Sequence, residues 1–158
     1  MMQIGAASPR FTLDANVLIY SVDVDAGPRH TSAVEIVRTA VRYDCLLTLQ
    51  AVSESYTAVA RKGYAPPAEA AATARDWLQA FRCTAASADA VRAALADSVA
   101  GRASYWDALL VATAAEAGCT LMLSEDMADG STLSGVEIHN PFTRTGQLTA
   151  RTRRLLDL

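Results

Sequence analysis

The feature that most constrains the fold of this chain is a regular alternation of short apolar runs with longer segments of helical periodicity. The short runs predict strands at residues 11–13, 45–49, 81–84, 120–124 and 136–139. The longer segments predict helices at residues 31–43, 51–62, 67–81, 87–100 and 105–117. Strands that alternate with helices require crossover connections, which produce a mostly parallel sheet covered on both faces. The predicted fold class is therefore α/β, a three-layer α/β/α domain with a central, mostly parallel sheet.

The size and the termini of the chain indicate one domain. With 158 residues and 51% hydrophobic residues, the chain can bury one core but not two. No apolar run approaches the roughly 18 residues of a membrane span. The N-terminal segment MMQIGAASPR lacks the charged start and apolar middle of a signal peptide. We therefore expect a single domain over residues 1–158, a cytoplasmic location and no membrane partner.

The potential metal ligands favour oxygen over sulfur and nitrogen. Cys45, Cys83 and Cys119 are far apart and form no CxxC pair, so we expect buried, reduced thiols. His30 and His139 are the only histidines and are interpreted as structural, which leaves a zinc site poorly supplied. Any metal would be a hard cation such as Mg²⁺ or Mn²⁺. The net charge of −3 neither indicates nor excludes a nucleic acid partner.

Four acidic residues are predicted to meet at one edge of the sheet. Asp14 directly follows the first strand, and Glu54 lies in the first turn of the helix after the second strand. Asp107 lies in the first turn of a helix that returns to the strand at 120–124, and Asp126 follows that strand. All four positions are at the carboxyl ends of strands, where open α/β sheets place their binding sites.

Such a group of acids is typical of a metal centre. Adjacent carboxylates repel one another, and a divalent cation removes that repulsion. A hard cation on oxygen ligands can polarise a phosphoryl oxygen and activate water. The pattern therefore predicts phosphodiester hydrolysis without a protein nucleophile.

Each acid also has a structural explanation. Asp14 can cap the following helix, and Glu54 can be a solvated acid favoured by the helix dipole. Asp107 can complete a capping box with Ser104, and Asp126 can be an ordinary loop acid. Asp23 and Asp25 imitate a metal-binding pair, but they lie in a Gly/Pro loop and are interpreted as solvated.

The segments that carry the four acids resemble those of PIN domains, and in particular the VapC toxins of bacterial toxin–antitoxin pairs. The matching segments are DANVLIY at 14–20, VSESYTAVARKG at 52–63, WDALLVATAAEAGC at 106–119, LSEDMADG at 123–130 and GVEIHNPF at 135–142. The resemblance spans residues 11–142. It leaves residues 143–158 as a C-terminal extension of unassigned function.

The resemblance implies a Mg²⁺- or Mn²⁺-dependent endoribonuclease with Asp14, Glu54, Asp107 and Asp126 as metal ligands. It gives Asn16 and Ser124 supporting polar roles beside them. It also implies a homodimer that is neutralised by a VapB-type antitoxin lying over the active-site groove. Residues 52–63 and 68–81 would form much of that groove and of the dimer surface. Arg61, two helical turns after Glu54, would contact a phosphate or an antitoxin carboxylate, although it can also be an ordinary exposed arginine.

Other functions remain as alternatives. The chain could be a housekeeping PIN-domain nuclease, or a catalytically silent PIN module that binds RNA or protein. Receiver domains and haloacid-dehalogenase-like phosphatases also place an Asp after the first strand, but both require a late lysine. Lys62 is the only lysine, and Asn16 stands where the phosphatases require a second Asp. The order and spacing of the segments favour the toxin nuclease.

Overall fold

The structure of the protein is a computed structural model and describes residues 7–158. Its strands, in chain order, are β1 (Phe11–Leu13), β2 (Cys45–Thr48), β3 (Arg82–Thr84), β4 (Leu121–Leu123), β5 (Thr132–Leu133) and β6 (Val136–His139). Its helices are α1 (Ala15–Tyr20), α2 (Pro28–Ala40), α3 (Leu49–Lys62), α4 (Pro67–Ala80), α5 (Ala88–Val99), α6 (Tyr105–Glu116) and α7 (Ala150–Leu156). A 3₁₀ turn lies at Val24–Ala26.

The sheet has six strands in the order β3-β2-β1-β4-β6-β5. All neighbouring pairs are parallel except β5 and β6, which are antiparallel. The chain builds the sheet outward from β1 in one direction through β2 and β3 and in the other through β4 and β6. The strand order therefore reverses between β1 and β4, and a crevice forms at their carboxyl ends. The predicted mostly parallel α/β sheet is confirmed.

The core lies on both faces of the two central strands. Every residue of β1 and β4 is buried. Apolar side chains from α1, α2, α3, α4 and α6 belong to the same hydrophobic cluster as these strands. Helix α6 is buried over Ala108–Ala114 because it packs against the sheet on one side and against α5 on the other. This burial holds the beginning of α6 firmly beside the crevice.

The bounds of α2, β2 and α3 differ from the predictions, for identifiable reasons. Helix α3 begins at Leu49 instead of residue 51, because Thr48 adopts an extended conformation and its hydroxyl accepts a hydrogen bond from the Ala51 N–H (3.1 Å). The second strand consequently ends at Thr48, and Glu54 lies in the second helical turn, not the first. Helix α2 begins at Pro28, where proline suits the first helical position, and ends at Ala40.

The C-terminal extension packs on the main core. Phe142 and Leu148 form an isolated antiparallel bridge, and α7 follows. Leu156 in α7 is 1% exposed and belongs to the principal hydrophobic cluster. The His139 ring bonds with the Thr149 hydroxyl (2.9 Å), which ties the end of β6 to the cap of α7. Residues 143–158 therefore contribute to the stability of the domain.

Two of the three cysteines are buried, and the third lies at the edge of the sheet. Cys45 and Cys119 are free and buried as predicted, whereas Cys83 is only partly buried because β3 is an edge strand. Within residues 7–158, no helix has the length and apolar character needed to cross a bilayer. Residues 1–6, where the segment predicted not to be a signal peptide begins, lie outside the described part of the chain.

Candidate active site

Asp14 lies at the reversal point of the sheet. It follows the last residue of β1, and its N–H donates a hydrogen bond to the carbonyl of Leu123 at the end of β4 (2.9 Å). This bond fixes Asp14 at the mouth of the crevice between the two central strands. The residue is 6% exposed, which is unusual for a carboxylate.

The Asp14 carboxylate is held by three hydrogen bonds. Oδ1 accepts from the Ala15 N–H (2.7 Å), so that Asp14 caps α1. Oδ2 accepts from the Ser124 hydroxyl (2.6 Å) and from Nδ2 of Asn16 (3.2 Å). A carboxylate offers about four lone-pair positions, so Oδ1 keeps one for a further partner. Capping a helix and binding a cation are therefore compatible at this residue.

Burial and neighbouring charges raise the pKa of Asp14 to about 6 from an ordinary value of 3.8. Desolvation is the largest cause, and the negative charges of Asp107 and Asp126 raise the pKa further. The hydrogen bonds from Ser124 and Ala15 act in the opposite direction. Since the charges of Asp107 and Asp126 act on Asp14, the three carboxylates share one electrostatic environment.

Asn16 and Ser124 connect Asp14 with the loop that carries Asp126. Oδ1 of Asn16 accepts from the Glu125 N–H (3.3 Å), and the Ser124 hydroxyl accepts from the Met127 N–H (3.4 Å). Both side chains are buried. They therefore orient Asp14 and at the same time fix the backbone on either side of Asp126, whose side chain is exposed.

Asp107 occupies the first turn of α6, as predicted. The Ser104 hydroxyl accepts a hydrogen bond from the Asp107 N–H (3.2 Å), so the first half of the predicted capping box forms. Among the described residues, no hydrogen bond from the Ser104 N–H to the Asp107 carboxylate completes the box. The half-exposed carboxylate is thus not engaged in capping and stays available at the crevice.

Glu54 reaches the site indirectly. It is exposed on α3, and its Oε1 accepts a hydrogen bond from Nε2 of Gln50 (3.0 Å). The same Nε2 donates to the carbonyl of Trp106 at the beginning of α6 (2.9 Å). Gln50 therefore links Glu54 with the residue that precedes Asp107. Oε1 of Gln50 is buried and accepts no hydrogen bond from residues 7–158.

The charges of Asp107 and Asp126 thus act on Asp14, whereas Glu54 lies at the border of the group. Within residues 7–158, no group of three or more acidic, histidine or cysteine side chains is arranged so that it could hold a metal ion. The donors nevertheless suit Mg²⁺ or Mn²⁺, because all are hard oxygen ligands. Mg²⁺ commonly binds through one or two carboxylates and keeps water or substrate phosphate at its other positions.

Basic side chains border the acids. Arg61 and Glu54 line one shallow cavity on α3, as their spacing predicts. Arg102 and Asp107 line another, of about 390 Å³, between the beginning of α6 and residues 127–133. Each of these surfaces pairs a candidate cation ligand with a guanidinium group that suits a phosphate.

The side chains interpreted as structural or solvated form hydrogen bonds outside the acidic crevice. Asp23 accepts a hydrogen bond from the Asp25 N–H (3.1 Å) and caps the 3₁₀ turn. His30 bonds with a backbone carbonyl, and His139 with the hydroxyl of Thr149. None of these side chains bonds with the carboxylates of the crevice among residues 7–158.

Sequence reasoning missed several residues that shape the site. Gln50 lies one helical turn before Glu54, a spacing that could have indicated its contact. Tyr20 donates to Glu125 (2.8 Å), which also pairs with Arg29 (2.8 Å). No sequence pattern indicated this network, because Glu125 is distant from both partners along the chain. Lys62 beside Asp126 was also not anticipated.

The structure is an open, three-layer α/β domain with an acidic crevice at the point where its strand order reverses. The family model of the PIN domain matches residues 11–128, and the chain belongs to the PIN domain family. The match includes Asp14, Glu54, Asp107 and Asp126. No curated protein matches the sequence.

Solved structures with related folds include two Vap proteins. The Mycobacterium tuberculosis toxin VapC20, described as cleaving the sarcin–ricin loop, has a TM-score of 0.59 and 20% identity over 73% of this chain and 91% of its own. VapBC2 from Rickettsia felis, bound to a DNA fragment from its promoter, has a TM-score of 0.60 and 11% identity over 82% of this chain and 97% of its own. PAE2754 from Pyrobaculum aerophilum has a TM-score of 0.57 and 14% identity over 98% of this chain and 95% of its own. At these identities the likeness establishes the fold.

Proposed function

We propose that this protein is a divalent-metal-dependent endoribonuclease. The observation that carries the proposal is the buried Asp14 carboxylate, held at the reversal point of the sheet with the charges of Asp107 and Asp126 beside it. Carboxylates in this position weaken the fold unless a cation neutralises them. Membership of the PIN domain family supports the same conclusion, because the matched residues 11–128 include all four of the candidate acids.

The side chains of the crevice would divide the work. Asp14, Asp107 and Asp126 would hold Mg²⁺ or Mn²⁺, and Glu54 would complete the set from α3. A bound cation of this kind supplies Lewis acidity to a phosphoryl oxygen and lowers the pKa of a water. Asn16 and Ser124 keep the Asp14 carboxylate in one orientation. Arg61 lies where it could bind a phosphate of the strand, whereas the Arg102 guanidinium group already pairs with Asp97 (2.9 Å).

The test is RNA cleavage by the purified protein, freed of any partner. Cleavage should require Mg²⁺ or Mn²⁺, and a chelator should stop it. Asp14→Asn and Asp107→Asn should each lower the rate at least a hundredfold, on the order of losing one essential electrostatic contact. Asp89→Asn, which removes an exposed carboxylate on α5, is the matched control and should cleave normally. Undiminished cleavage by both crevice variants would refute the site assignment.

We further propose that the nuclease acts in the cytoplasm as the toxin of a VapBC pair and forms a homodimer. Two structural neighbours support this role, because their names describe a VapC toxin and a VapBC complex. A VapB-type antitoxin would lie over the crevice, and α3 and α4, which pack against each other, would provide the groove and the dimer surface.

The toxin role has its own test. Induced expression should arrest growth, and co-expression of a small neighbouring reading frame should relieve the arrest. Asp14→Asn should abolish the arrest without changing expression. RNA cleavage without any arrest would indicate the housekeeping nuclease, and binding without cleavage would indicate the catalytically silent module.

A further inference from the structure

A cavity of about 270 Å³ adjoins the acids on the side of α1 and the end of α3. Its lining includes two members of the candidate site, Asn16 and Asp126, together with Tyr20, Lys62 and Tyr64. Aromatic rings and ammonium groups are groups with which proteins bind the bases and phosphates of a nucleotide. We propose that this cavity receives the nucleotide next to the phosphodiester that is cleaved, an assignment that rests on the proposed nuclease function.

The fold brings the ammonium group to this cavity by the way α3 ends. Lys62 is the last residue of α3, and Gly63 follows with a φ of 69°, a conformation that glycine adopts without strain. The Tyr64 N–H then bonds back to the carbonyl of Val59 (3.1 Å). This tight turn places the Lys62 ammonium 5.9 Å from the centre of the Tyr64 ring.

Lys62 is available for a ligand. Among residues 7–158 it forms no ion pair, unlike Arg29 and Arg102, whose charges are balanced by carboxylates. An exposed ammonium group without a carboxylate partner is suited to a phosphate, to which it donates several hydrogen bonds. Asp23 also lines the cavity, but it accepts a hydrogen bond from the Asp25 N–H.

Tyr20 forms a rigid wall of the same cavity. Its hydroxyl donates to Glu125 (2.8 Å), which Arg29 holds from the other side (2.8 Å). Its ring packs edge-on against Phe142, with a centroid distance of 5.6 Å. An aromatic surface that is fixed before binding can receive a base without a large loss of conformational entropy.

The position of the cavity favours RNA over an antitoxin segment as its occupant. A strand whose phosphate lies at Asp14 and Asp126 must continue into an adjoining surface, and this cavity shares Asp126 and Asn16 with the acids. Unpaired bases are recognised by stacking on aromatic rings, for which the Tyr64 ring is suited.

The first experiment uses the fact that Lys62 is the only lysine of the chain. The wild-type protein is treated with an amine-acetylating reagent in chelator, with and without a mixed-sequence single-stranded oligoribonucleotide, and acetylation of Lys62 is followed by mass spectrometry. A lysine-containing reference peptide in the same tube reports the activity of the reagent. RNA at a concentration that saturates binding should slow the acetylation of Lys62 at least fivefold and leave the reference peptide unaffected.

The second experiment separates binding from chemistry. Lys62→Ala should raise KM for RNA about tenfold with little change in kcat, and should lower the slope of log affinity against log salt by about one. Lys62→Arg should restore both values, and Tyr64→Phe should bind better than Tyr64→Ala. Arg144→Ala, which removes an exposed positive charge in the C-terminal extension, is the control and should change neither KM nor the salt slope.

The outcomes distinguish this proposal from the nuclease function itself. Bound RNA that leaves Lys62 fully reactive, or protection by an acidic peptide but not by RNA, overturns the cavity assignment even if cleavage is intact. Protection in chelator with no cleavage in Mg²⁺ or Mn²⁺ keeps the cavity as a site that binds RNA and overturns the nuclease. Absence of any RNA binding overturns both.

Discussion

Hydrogen bonds stabilise the ionised form of the Asp14 carboxylate, whereas burial and neighbouring negative charges destabilise it. Three donors hold the carboxylate, yet burial and two nearby negative charges keep its pKa near 6. The folded protein without metal therefore binds the proton of Asp14 more tightly than the unfolded chain does. This difference makes stability depend on pH.

The first prediction concerns that dependence in the metal-free protein. Between about pH 4 and pH 6 the folded state holds a proton on Asp14 that the unfolded state has released, so this residue lowers the free energy of unfolding as the pH rises. The loss should reach about 3 kcal/mol, because one pKa unit corresponds to about 1.4 kcal/mol. Asp14→Asn cannot titrate. Urea unfolding at several pH values should show the variant gaining stability relative to the wild type as the pH rises to 7.

The control for this experiment is Asp89→Asn, whose carboxylate is exposed on α5. The difference in stability between this variant and the wild type should be nearly constant over the same pH range. A constant difference for Asp14→Asn as well would contradict the raised pKa of Asp14.

Gln50 is the residue whose contacts tie Glu54 to α6. The second prediction is that Gln50→Ala lowers kcat about tenfold or more with a small change in KM, because Glu54 loses the partner that orients it. Gln50→Glu keeps the shape but cannot donate to Glu54, and should be at least as impaired. Cleavage kinetics at saturating RNA provide the measurement. Gln147→Ala, which changes an exposed glutamine in the extension, should retain full activity. Wild-type activity of both Gln50 variants would exclude the positioning role.

At the scale of elements, the sequence predicted five strands and the five longer helices, and it missed β5, α1 and α7. Strands β1 and β6 and helices α4, α5 and α6 lie within a residue or so of their predicted bounds, because continuous apolar runs and caps mark them. Helices α1 and α7 have six and seven residues, too few for a periodic pattern. The hydrogen bond of Asp14 to Ala15 and the packing of α7 on the core stabilise them, and only the folded structure reveals that packing.

The same limits applied to the candidate site. The prediction that Asp14, Glu54, Asp107 and Asp126 lie at one edge came from the sequence alone, since parallel strands share a carboxyl end. The contacts of Ser124 with Asp14 and of Gln50 with Trp106 join residues that are distant in the chain, so no spacing could reveal them. The position of Glu54 was predicted one turn too early in α3, because the capping hydroxyl of Thr48 was not recognised.

The third prediction is that α7 is part of the stable domain. Leu156 is 1% exposed in the main core, so Leu156→Ala should lower the free energy of unfolding by about 2–4 kcal/mol through loss of burial and creation of a cavity. Leu158→Ala, two residues later, is the matched control. Leu158 is 43% exposed and should change stability by less than about 0.5 kcal/mol. Equal effects of the two variants in urea unfolding would show that the extension does not pack as described.

At the scale of the whole molecule, the proposed cation site in the acidic crevice would couple cation binding to folding. The chain carries 17 acidic and 14 basic residues, so its net charge is small. The repulsion among the carboxylates is local, because the charges of Asp107 and Asp126 act on the buried carboxylate of Asp14. A cation that binds the folded state and not the unfolded state stabilises the protein by an amount that rises with its concentration. It would also convert the proton-binding Asp14 into a ligand that stays ionised at lower pH.

The fourth prediction is therefore that Mg²⁺ or Mn²⁺ raises the melting temperature of the wild type at constant ionic strength. At a cation concentration one hundred times its dissociation constant, the free energy of unfolding should rise by about 2.7 kcal/mol. Asp14→Asn should lose most of this gain, whereas Asp89→Asn should keep it, since only the former lies in the crevice. The gain should shrink as the pH falls below 6, because protons compete with the cation for Asp14. A gain that is the same for wild type and Asp14→Asn, or one that Na⁺ at equal ionic strength reproduces, would mean that the cation acts by general screening and does not bind at Asp14.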